Sequence, residues 1–466
     1  MSSELNTNGS TANKNTMTSF FLFWIGQLFS VFGSSVVFFA VLWYFADITA
    51  GQPNQGTLFT TVSAIVTIPW TIVLFFSGVF IDRWNRKRII LVSDGIQAVA
   101  TLTLVVLFTL GYADVYPVNL WAVTIIFMIR QTAQGFHQPT IQAIIPLMIP
   151  HDKISRFNGL NTFLGGAVQI AGPIFSSFLI GAGLSFTQIL WIDVITFGIA
   201  LIPTLFIKIP PHKTKAQEES GKKSSYFAEF KEGFTTIMDI KGMGALFFVI
   251  IVLNVMSQPF NSLGPIFFQK IAGDDFYQPL MINGIFFAAF SFVGAGFMML
   301  RKKWKRKSLL IIIPQFFSLV SWYLMGITGY LNTVSGFNQF FLVYIASAIT
   351  TMYSSIYNAT YKTIFHETIP ADKLGRVFSV DYAISFFLGP FAILASGPLS
   401  DWLGIENLYL GLAVLATIFL TIVTIFSNYR HVGKDTLENM ATTIPEISEP
   451  VEEVDIKNES DPVESV

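Results

Sequence analysis

Five charged side chains lie within stretches of the sequence that are otherwise apolar and long enough to cross a membrane. They are Arg130, Asp193, Asp94, Asp381 and Lys362. A charge inside a bilayer costs free energy, so each such residue needs an ionic partner, a route to the surface or a functional role. A carboxylate in this setting can bind and release a proton, and a guanidinium can hold an anionic group. We treat all five as candidates for coupling or substrate binding.

The residue types that enzyme chemistry needs are sparse. The chain has no Cys, and its five His residues are scattered, without a metal-spaced or nucleophile–base cluster. No G-x-x-x-x-G-K-[ST] phosphate-binding motif occurs, so ATP is not expected as an energy source. The sequence predicts neither an enzyme nor a metal or cofactor site.

The elements that would position these charges are apolar helices. Hydrophobic residues make up 52% of the chain and charged residues 12%, a composition unlike that of a soluble protein. We predict an all-α membrane protein of twelve transmembrane helices, each long enough to cross about 30 Å of hydrocarbon. Their expected positions are 18–46, 58–81, 89–112, 119–149, 158–180, 187–208, 243–269, 279–300, 308–329, 338–365, 377–400 and 407–427.

The distribution of Lys and Arg predicts the orientation. With the N-terminus inside, 25 of the 28 basic residues fall in cytoplasmic segments, Lys270 alone lies outside, and Arg130 and Lys362 lie within helices. Cytoplasmic loops of membrane proteins carry such an excess of positive charge. We therefore expect a multi-pass protein of the plasma membrane with both termini in the cytoplasm.

Segments between and beyond the helices divide the chain further. Residues 1–17 read as a disordered cytoplasmic N-terminus, and residues 428–466 as an acidic, disordered cytoplasmic tail. The cytoplasmic linker 209–242 separates a six-helix half at 18–208 from another at 243–427. Apolar residues recur at helical spacing in this linker and predict an amphipathic helix at the membrane surface; they are Tyr226, Phe227, Phe230, Phe234 and Ile237.

An internal repeat relates the two halves. The stretch Ile149–Arg156, I-P-H-D-K-I-S-R, returns 220 residues later as I-P-A-D-K-L-G-R at Ile369–Arg376. Both copies join the fourth helix of a half to the fifth. Two six-helix halves of like orientation are the parallel-repeat plan of alternating-access transporters.

The loop after the second helix carries a family resemblance. Gly78 to Arg88 reads G-V-F-I-D-R-W-N-R-K-R and resembles the G-x-x-x-D-R-x-G-R-R signature of the major facilitator superfamily, with Asn85 in place of Gly. The resemblance implies a latch between the halves, in which Asp82 meets the start of the eleventh helix near Arg376. Gly78, Arg83 and Arg86 would belong to this latch. The alternative is a basic loop that only sets orientation.

Other stretches resemble the macrolide-efflux and siderophore-exporter branch of bacterial drug:proton antiporters within that superfamily. They are Arg130–Pro139, Ile192–Phe197, Gly375–Ser379 and Gly397–Gly404, and the resemblance covers residues 18–427. Gly172-Pro173 and Ser176-Ser177 in the fifth helix partly match an antiporter signature, which favours export. A generic small-residue packing face would explain the fifth helix almost as well.

The roles of the charged candidates stay open at this point. Arg130 lies near mid-depth on a helix that the resemblance places at the central cavity. It is expected to anchor the substrate or a proton-carrying carboxylate, or to form a structural ion pair with Asp193. Asp94, Lys362 and Asp381 lie near the cytoplasmic ends of their helices, where contact with the surface or gate salt bridges would explain them.

Polar residues amid apolar ones are candidates for lining a substrate cavity, and plain hydrogen bonding between helices is the alternative for each. The cavity candidates are Gln27, Gln134, His137, Gln138, Asn254, Gln258, Tyr353, Tyr357 and Asn358.

The sequence thus predicts efflux of a lipophilic or amphipathic compound, such as a macrolide-like drug, by proton antiport with alternating access. The expected partners are that small molecule, protons and the lipid bilayer. No nucleic acid is expected, and the chain is expected to act as a monomer. The alternatives are a specific metabolite or siderophore transporter of the same fold and, from another class, a non-transporting scaffold or membrane enzyme.

Overall fold

The computed structural model describes residues 14–112, 115–150, 153–209, 226–273, 277–300, 307–331, 339–370 and 373–427, and these form helices without a strand. Nearly all of the predicted N-terminal segment and the whole acidic tail lie outside the described residues. The helices are α1 Lys14–Ile48, α2 Gln55–Arg83, α3 Arg86–Thr109, α4 Val118–Met148, α5 Ile154–Gly181, α6 Phe186–Phe206, α7 Tyr226–Asp239, α8 Met243–Ser262, α9 Gly264–Ala272, α10 Tyr277–Met299, α11 Lys307–Leu331, α12 Phe340–Thr368, α13 Leu374–Leu403 and α14 Ile405–Phe426.

Eleven of these helices are long and apolar enough to cross a membrane. Helix α4 has 31 residues and is long enough, but it is not among the eleven because Arg130, His137 and several glutamines lower its hydropathy. Counting α4, and counting α8 with α9 as one crossing, gives the twelve transmembrane segments that the sequence predicts. The expected all-α membrane fold is confirmed.

The seventh predicted span, 243–269, is not one continuous helix. It divides at Leu263 into α8 and α9, with Pro259 in the last turn of α8 and Pro265 in the first turn of α9. Proline has no backbone N–H and blocks the carbonyl four residues earlier, so two prolines six residues apart interrupt the helix. The hydropathy pattern shows the length of this span but does not show the break.

The predicted amphipathic linker helix forms as α7, and it packs against α13 and α8. Ile237 is fully buried in the core of the second half, and Phe230 packs against it. Gly233 approaches α13 so closely that a Cβ atom there would lie 2.6 Å from the carbonyl oxygen of Arg376. Helix α7 is therefore docked on the bundle at the predicted cytoplasmic face.

The two most extensive contacts between the halves are those of α2 with α13 and of α5 with α10, and α1 also contacts α9. The repeat makes α2 equivalent to α10 and α5 equivalent to α13, so the two contacts are related by the same internal symmetry. Within each half the pairing also repeats, because α2 packs on α4 and α10 on α12.

Three clusters of buried apolar side chains form the core. One lies toward the predicted outer face and draws residues from both halves, including Phe45 and Phe127 from the first and Phe267 and Tyr409 from the second. The other two lie toward the predicted cytoplasmic face, and each is built from one half alone. The described apolar core thus joins the halves at the outer end of the bundle.

Candidate functional site

Arg130 and Asp193 form a closed ion pair in the middle of the first half. The Nη2 atom of Arg130 on α4 lies 2.8 Å from both carboxylate oxygens of Asp193 on α6. Thr101 donates to the same carboxylate at 2.8 Å, and Ser34 donates to it at 3.1 Å. The two charged side chains are 1% and 0% exposed. Buried charges of opposite sign with several hydrogen bonds satisfy each other, and this geometry favours the structural alternative for Arg130.

Aromatic rings complete the enclosure of that guanidinium. Its carbon atom lies 5.1 Å from the ring centre of Phe127 and 5.7 Å from that of Phe197, distances typical of cation–π contacts. No cavity described below is lined by Arg130 or Asp193. Direct contact of either residue with a substrate would require this packing to open.

A second buried polar group lies on the cytoplasmic side of that pair, between α1, α3, α4 and α6. Nε2 of His137 lies 2.9 Å from Oδ1 of Asp94 and 3.0 Å from Oε1 of Gln27. The amide nitrogen of Gln27 is 3.2 Å from Oδ2 of Asp94 and 3.1 Å from the hydroxyl of Thr204. Asp94 is only 2% exposed, so it does not make the surface contact that the sequence offers as one of its two explanations. Helices α1 and α4 cover it.

A cavity of about 280 Å³ opens beside this group, between α1, α4 and α5. Gln27 and Gln138, both predicted as cavity residues, line it together with Trp24, Asn161 and Gln169. The indole N–H of Trp24 donates to the side chain of Asn161 at 2.9 Å. With Gln142, the lining thus combines an aromatic ring with five amide side chains, most of them toward the predicted cytoplasmic face.

A smaller cavity of about 110 Å³ lies in the second half, between α8, α11 and α12. The predicted residues Asn254, Tyr353 and Tyr357 line it. Gln258 and Asn358 do not, because each turns back to its own helix: Gln258 donates to the carbonyl of Asn254 at 3.3 Å, and Asn358 to that of Ser354 at 2.8 Å. Gln134 lines neither cavity and is half-buried on α4.

The remaining charged candidates lie near the cytoplasmic end of the second half. Asp381 on α13 is buried and faces the hydroxyl of Tyr361 and the ammonium group of Lys362 on α12. Lys362 itself is exposed. The exposure of Lys362 is what contact with the surface requires, and a gate salt bridge between the two side chains stays a prediction.

The predicted latch at the cytoplasmic face can be placed only in part. The side chains of Asp82 and Arg83, and Gly78, lie outside what the structure describes. Arg86 donates to the backbone carbonyl of Ala143 at 3.0 Å. Arg376 lies 2.6 Å from the carboxylate of Glu232, so α7 contacts the start of α13 where the latch was expected.

A contact that the sequence did not single out joins the halves at the predicted outer face. The carboxylate of Asp401, at the end of α13, accepts hydrogen bonds from the backbone N–H groups of Gly56 and Thr57, both at 2.8 Å. The hydroxyl of Thr57 adds a third at 2.6 Å. A helix N-terminus leaves N–H groups unpaired and carries partial positive charge, and a carboxylate satisfies both. The first turn of α2 is therefore capped by the other half of the molecule.

Small residues allow this close approach. A Cβ atom on Gly397 of α13 would lie 2.0 Å from the hydroxyl of Thr60 on α2. Beside this contact, Gln55 donates to the side chain of Gln269 on α9 at 3.2 Å. The spacing of Gly397 and Asp401, one helical turn apart near a helix end, is the sequence signal that could have indicated the contact.

Comparison with known proteins agrees with this architecture. A crystal structure of a mutant of the nucleoside transporter NupG superposes with a TM-score of 0.64 at 14% identity, covering 88% of this chain and 99% of that one. That similarity shows the fold alone.

Sequence relatives extend over most of the chain. Macrolide efflux protein A of Streptococcus pyogenes is 25% identical over 399 residues, which cover 85% of this chain and 93% of that protein. The protein of the same name from Enterococcus faecalis is 26% identical over 336 residues, which cover 72% of this chain and 98% of that protein. The family model described as Major Facilitator Superfamily matches residues 23–392. The resemblance in the sequence is thereby confirmed, and the chain belongs to the Major Facilitator Superfamily, as a transporter similar to the bacterial macrolide-efflux branch.

Proposed function

We propose that this transporter exports lipophilic or amphipathic compounds of the macrolide type by proton antiport with alternating access. It would act as a monomer in the bacterial plasma membrane, with both termini in the cytoplasm. The observation that carries the proposal is the asymmetry of the core: apolar packing and Asp401 join the halves at the outer end, while the cytoplasmic core clusters stay within single halves. Such an arrangement suits loading of a substrate from the cytoplasm.

The chemistry of the cavities supports a large amphipathic substrate. Binding sites for such compounds are mostly apolar with a few hydrogen-bonding groups. The cavity of the first half offers the ring of Trp24 beside amides, and that of the second half offers Tyr353 and Tyr357 beside Asn254. A substrate between the halves would contact both sets. The names of the sequence relatives, macrolide efflux proteins, point to the same class of compound.

Proton antiport is favoured as the energy source. The sequence has no phosphate-binding motif for ATP. The transmembrane part holds buried carboxylates, which can exchange protons between two accessible states. Asp94, Asp193 and Asp381 are the buried aspartates of the described spans, and they differ in how completely their charge is paired.

The amides around the larger cavity also support a second candidate. Gln27, Gln138, Asn161 and Gln169 could hold a smaller, oxygen-rich metabolite or a siderophore by hydrogen bonds. This second candidate has the same fold and mechanism and differs only in the substrate.

Everted membrane vesicles containing the protein test the proposal and separate the two substrates. Vesicles energised by respiration should accumulate radiolabelled erythromycin, a macrolide, and a protonophore should abolish this accumulation. Vesicles from cells with the empty vector provide the control. Accumulation of an iron-free siderophore instead of erythromycin would favour the second candidate, and accumulation of neither would contradict export.

A further inference from the structure

The Asp94–His137 pair has a property that the Arg130–Asp193 pair lacks, which is room for one more proton. On the basis of the proposed function, we propose that Asp94 and His137 together carry the exchanged proton. Gln27 couples the protonation of this pair to hydrogen bonding in the substrate cavity. The pair lies 2.9 Å apart, and both side chains are 2% exposed.

Proton counting separates the two buried pairs. The Arg130 guanidinium is always charged, so its pair with Asp193 has no net charge and gains nothing from a further proton. A neutral imidazole beside a carboxylate has a net charge of minus one. One proton converts that pair to imidazolium and carboxylate, or to imidazole and carboxylic acid, with no net charge. Because a net charge is costly in a buried membrane site, proton uptake stabilises the closed pair.

The hydrogen-bond capacity of the pair is only partly used. Nε2 of His137 can hold one proton, yet two acceptor oxygens lie within 3.0 Å of it, on Asp94 and on Gln27. Among the described residues, Oδ1 of Asp94 contacts Nε2 of His137 as an ion pair but accepts no hydrogen bond of good geometry. Nδ1 of His137 has no hydrogen-bond partner there. Asp193, in contrast, accepts from Arg130, Thr101 and Ser34. A proton can therefore be accommodated at the Asp94–His137 pair without displacing another donor.

Among the described residues on the helices around Asp94, no Lys or Arg side chain forms an ion pair with its carboxylate. On α3, Lys87 donates to the backbone carbonyls of Leu205 and Ile207, and Arg88 is exposed. Arg86 donates to a carbonyl of α4. From α4 and α6, Arg130 and Asp193 face each other, and α6 presents the neutral hydroxyl of Thr204 toward Gln27. On the described part of α1, Asp47 lies at the opposite, outer end.

Gln27 connects the pair to the cavity because it contacts both. Its amide oxygen lies 3.0 Å from His137 Nε2, its amide nitrogen lies 3.2 Å from Asp94 Oδ2, and its side chain lines the 280 Å³ cavity. When Nε2 loses its proton, the amide oxygen of Gln27 faces a lone pair and is repelled. Rotation of the amide would then present its N–H to the ring, which changes the hydrogen-bonding pattern of the cavity wall. Substrate binding and proton release are thereby linked, and linkage of this kind is reciprocal.

The test uses the full-length protein with Asp94→Asn, which keeps the shape of the side chain and removes its charge. In everted vesicles this variant should lose proton-driven accumulation of erythromycin but keep exchange of labelled for unlabelled erythromycin without a gradient. Asp94→Glu should restore part of the driven accumulation. Thr124→Val, which removes a buried neutral hydroxyl on α4 that donates only to the carbonyl of Leu120 on its own helix, is the matched control and should behave like the wild type.

A second measurement detects the release of protons directly. Erythromycin added to the purified protein in weakly buffered detergent should release protons from the wild type and from Thr124→Val, and none from Asp94→Asn or His137→Gln. Undiminished driven accumulation and proton release in Asp94→Asn would overturn the proposal. Loss of both driven accumulation and exchange in Asp94→Asn, with Asp94→Glu equally inactive, would also overturn it, because the pair would then be structural. A wild type that accumulates no erythromycin in either mode would instead refute the proposed function itself.

Discussion

At the scale of residues, the buried polar groups of this bundle differ in how completely they are satisfied. The carboxylate of Asp193 accepts hydrogen bonds from three donors, although Nε of Arg130 lacks a partner among the described residues. At the second pair, Oδ1 of Asp94 and Nδ1 of His137 both keep unused hydrogen-bonding capacity. The sequence identifies all four residues because a polar side chain in an apolar helix is conspicuous. It does not show that Asp94 is buried, because position along a helix does not say which neighbouring helix covers a side chain.

Removal of the charge of Arg130 tests the closed pair. Arg130→Met should leave the Asp193 carboxylate buried and unpaired, which typically destabilises a protein by about 3–5 kcal/mol. We expect less protein in the membrane and a lower thermal unfolding temperature in detergent. The double variant Arg130→Met with Asp193→Leu should recover both stability and export.

Lys362→Met is the control for that experiment, because it removes an exposed cation near the cytoplasmic end of α12 and should leave the unfolding temperature unchanged. A double variant that is stable but does not export would assign Arg130 to coupling or substrate binding. That result would favour the functional alternative that the sequence left open.

At the scale of elements, the ends of helices decide how the halves meet. Helix α2 begins with N–H groups that its own cap residue Asn54 does not satisfy, and Asp401 of α13 satisfies them from the other half. Hydropathy predicts where α2 and α13 lie, but it does not predict this contact, because the two sequences are more than 300 residues apart. The break between α8 and α9 escapes the same analysis, since hydropathy does not register prolines as interruptions.

Asp401→Asn should weaken closure of the outer face while preserving the fold. The change removes a charge from a helix N-terminus, an interaction of about 0.3–2 kcal/mol, which is enough to shift a two-state balance several-fold. Spin labels at Tyr112→Cys and Gln278→Cys, on the outer ends of the two halves, should report a longer or broader distance distribution by pulsed electron resonance. The chain has no native Cys to interfere.

Glu406→Gln provides the matched control, because Glu406 is a carboxylate of the same face that pairs with Lys270 inside the second half. It should leave the label distance unchanged. An Asp401→Asn distribution identical to that of the parent protein would show that the α2–α13 cap does not hold the outer face closed.

At the scale of the whole molecule, the repeat and the twelve apolar stretches predict two six-helix halves, and the described helices agree. The repeat of I-P-x-D-K after the fourth helix of each half even predicts which helices are equivalent. The repeat and the hydropathy pattern do not predict how the two halves are rotated relative to each other. It depends on packing between the Gly397 and Thr60 region and on a core cluster that mixes both halves at the outer end.

Proton-driven export is tested most directly with purified protein in liposomes, where an imposed pH gradient is the only energy source. Liposomes with an acidic interior should take up labelled erythromycin through molecules oriented with their cytoplasmic face outward, and the uptake should dissipate the gradient. A pH-sensitive dye inside the liposomes reports the gradient, the label reports the uptake, and liposomes without protein provide the baseline for both. Uptake that continues at the same final level after the gradient is collapsed, or a gradient that persists while erythromycin accumulates, would contradict proton-driven export.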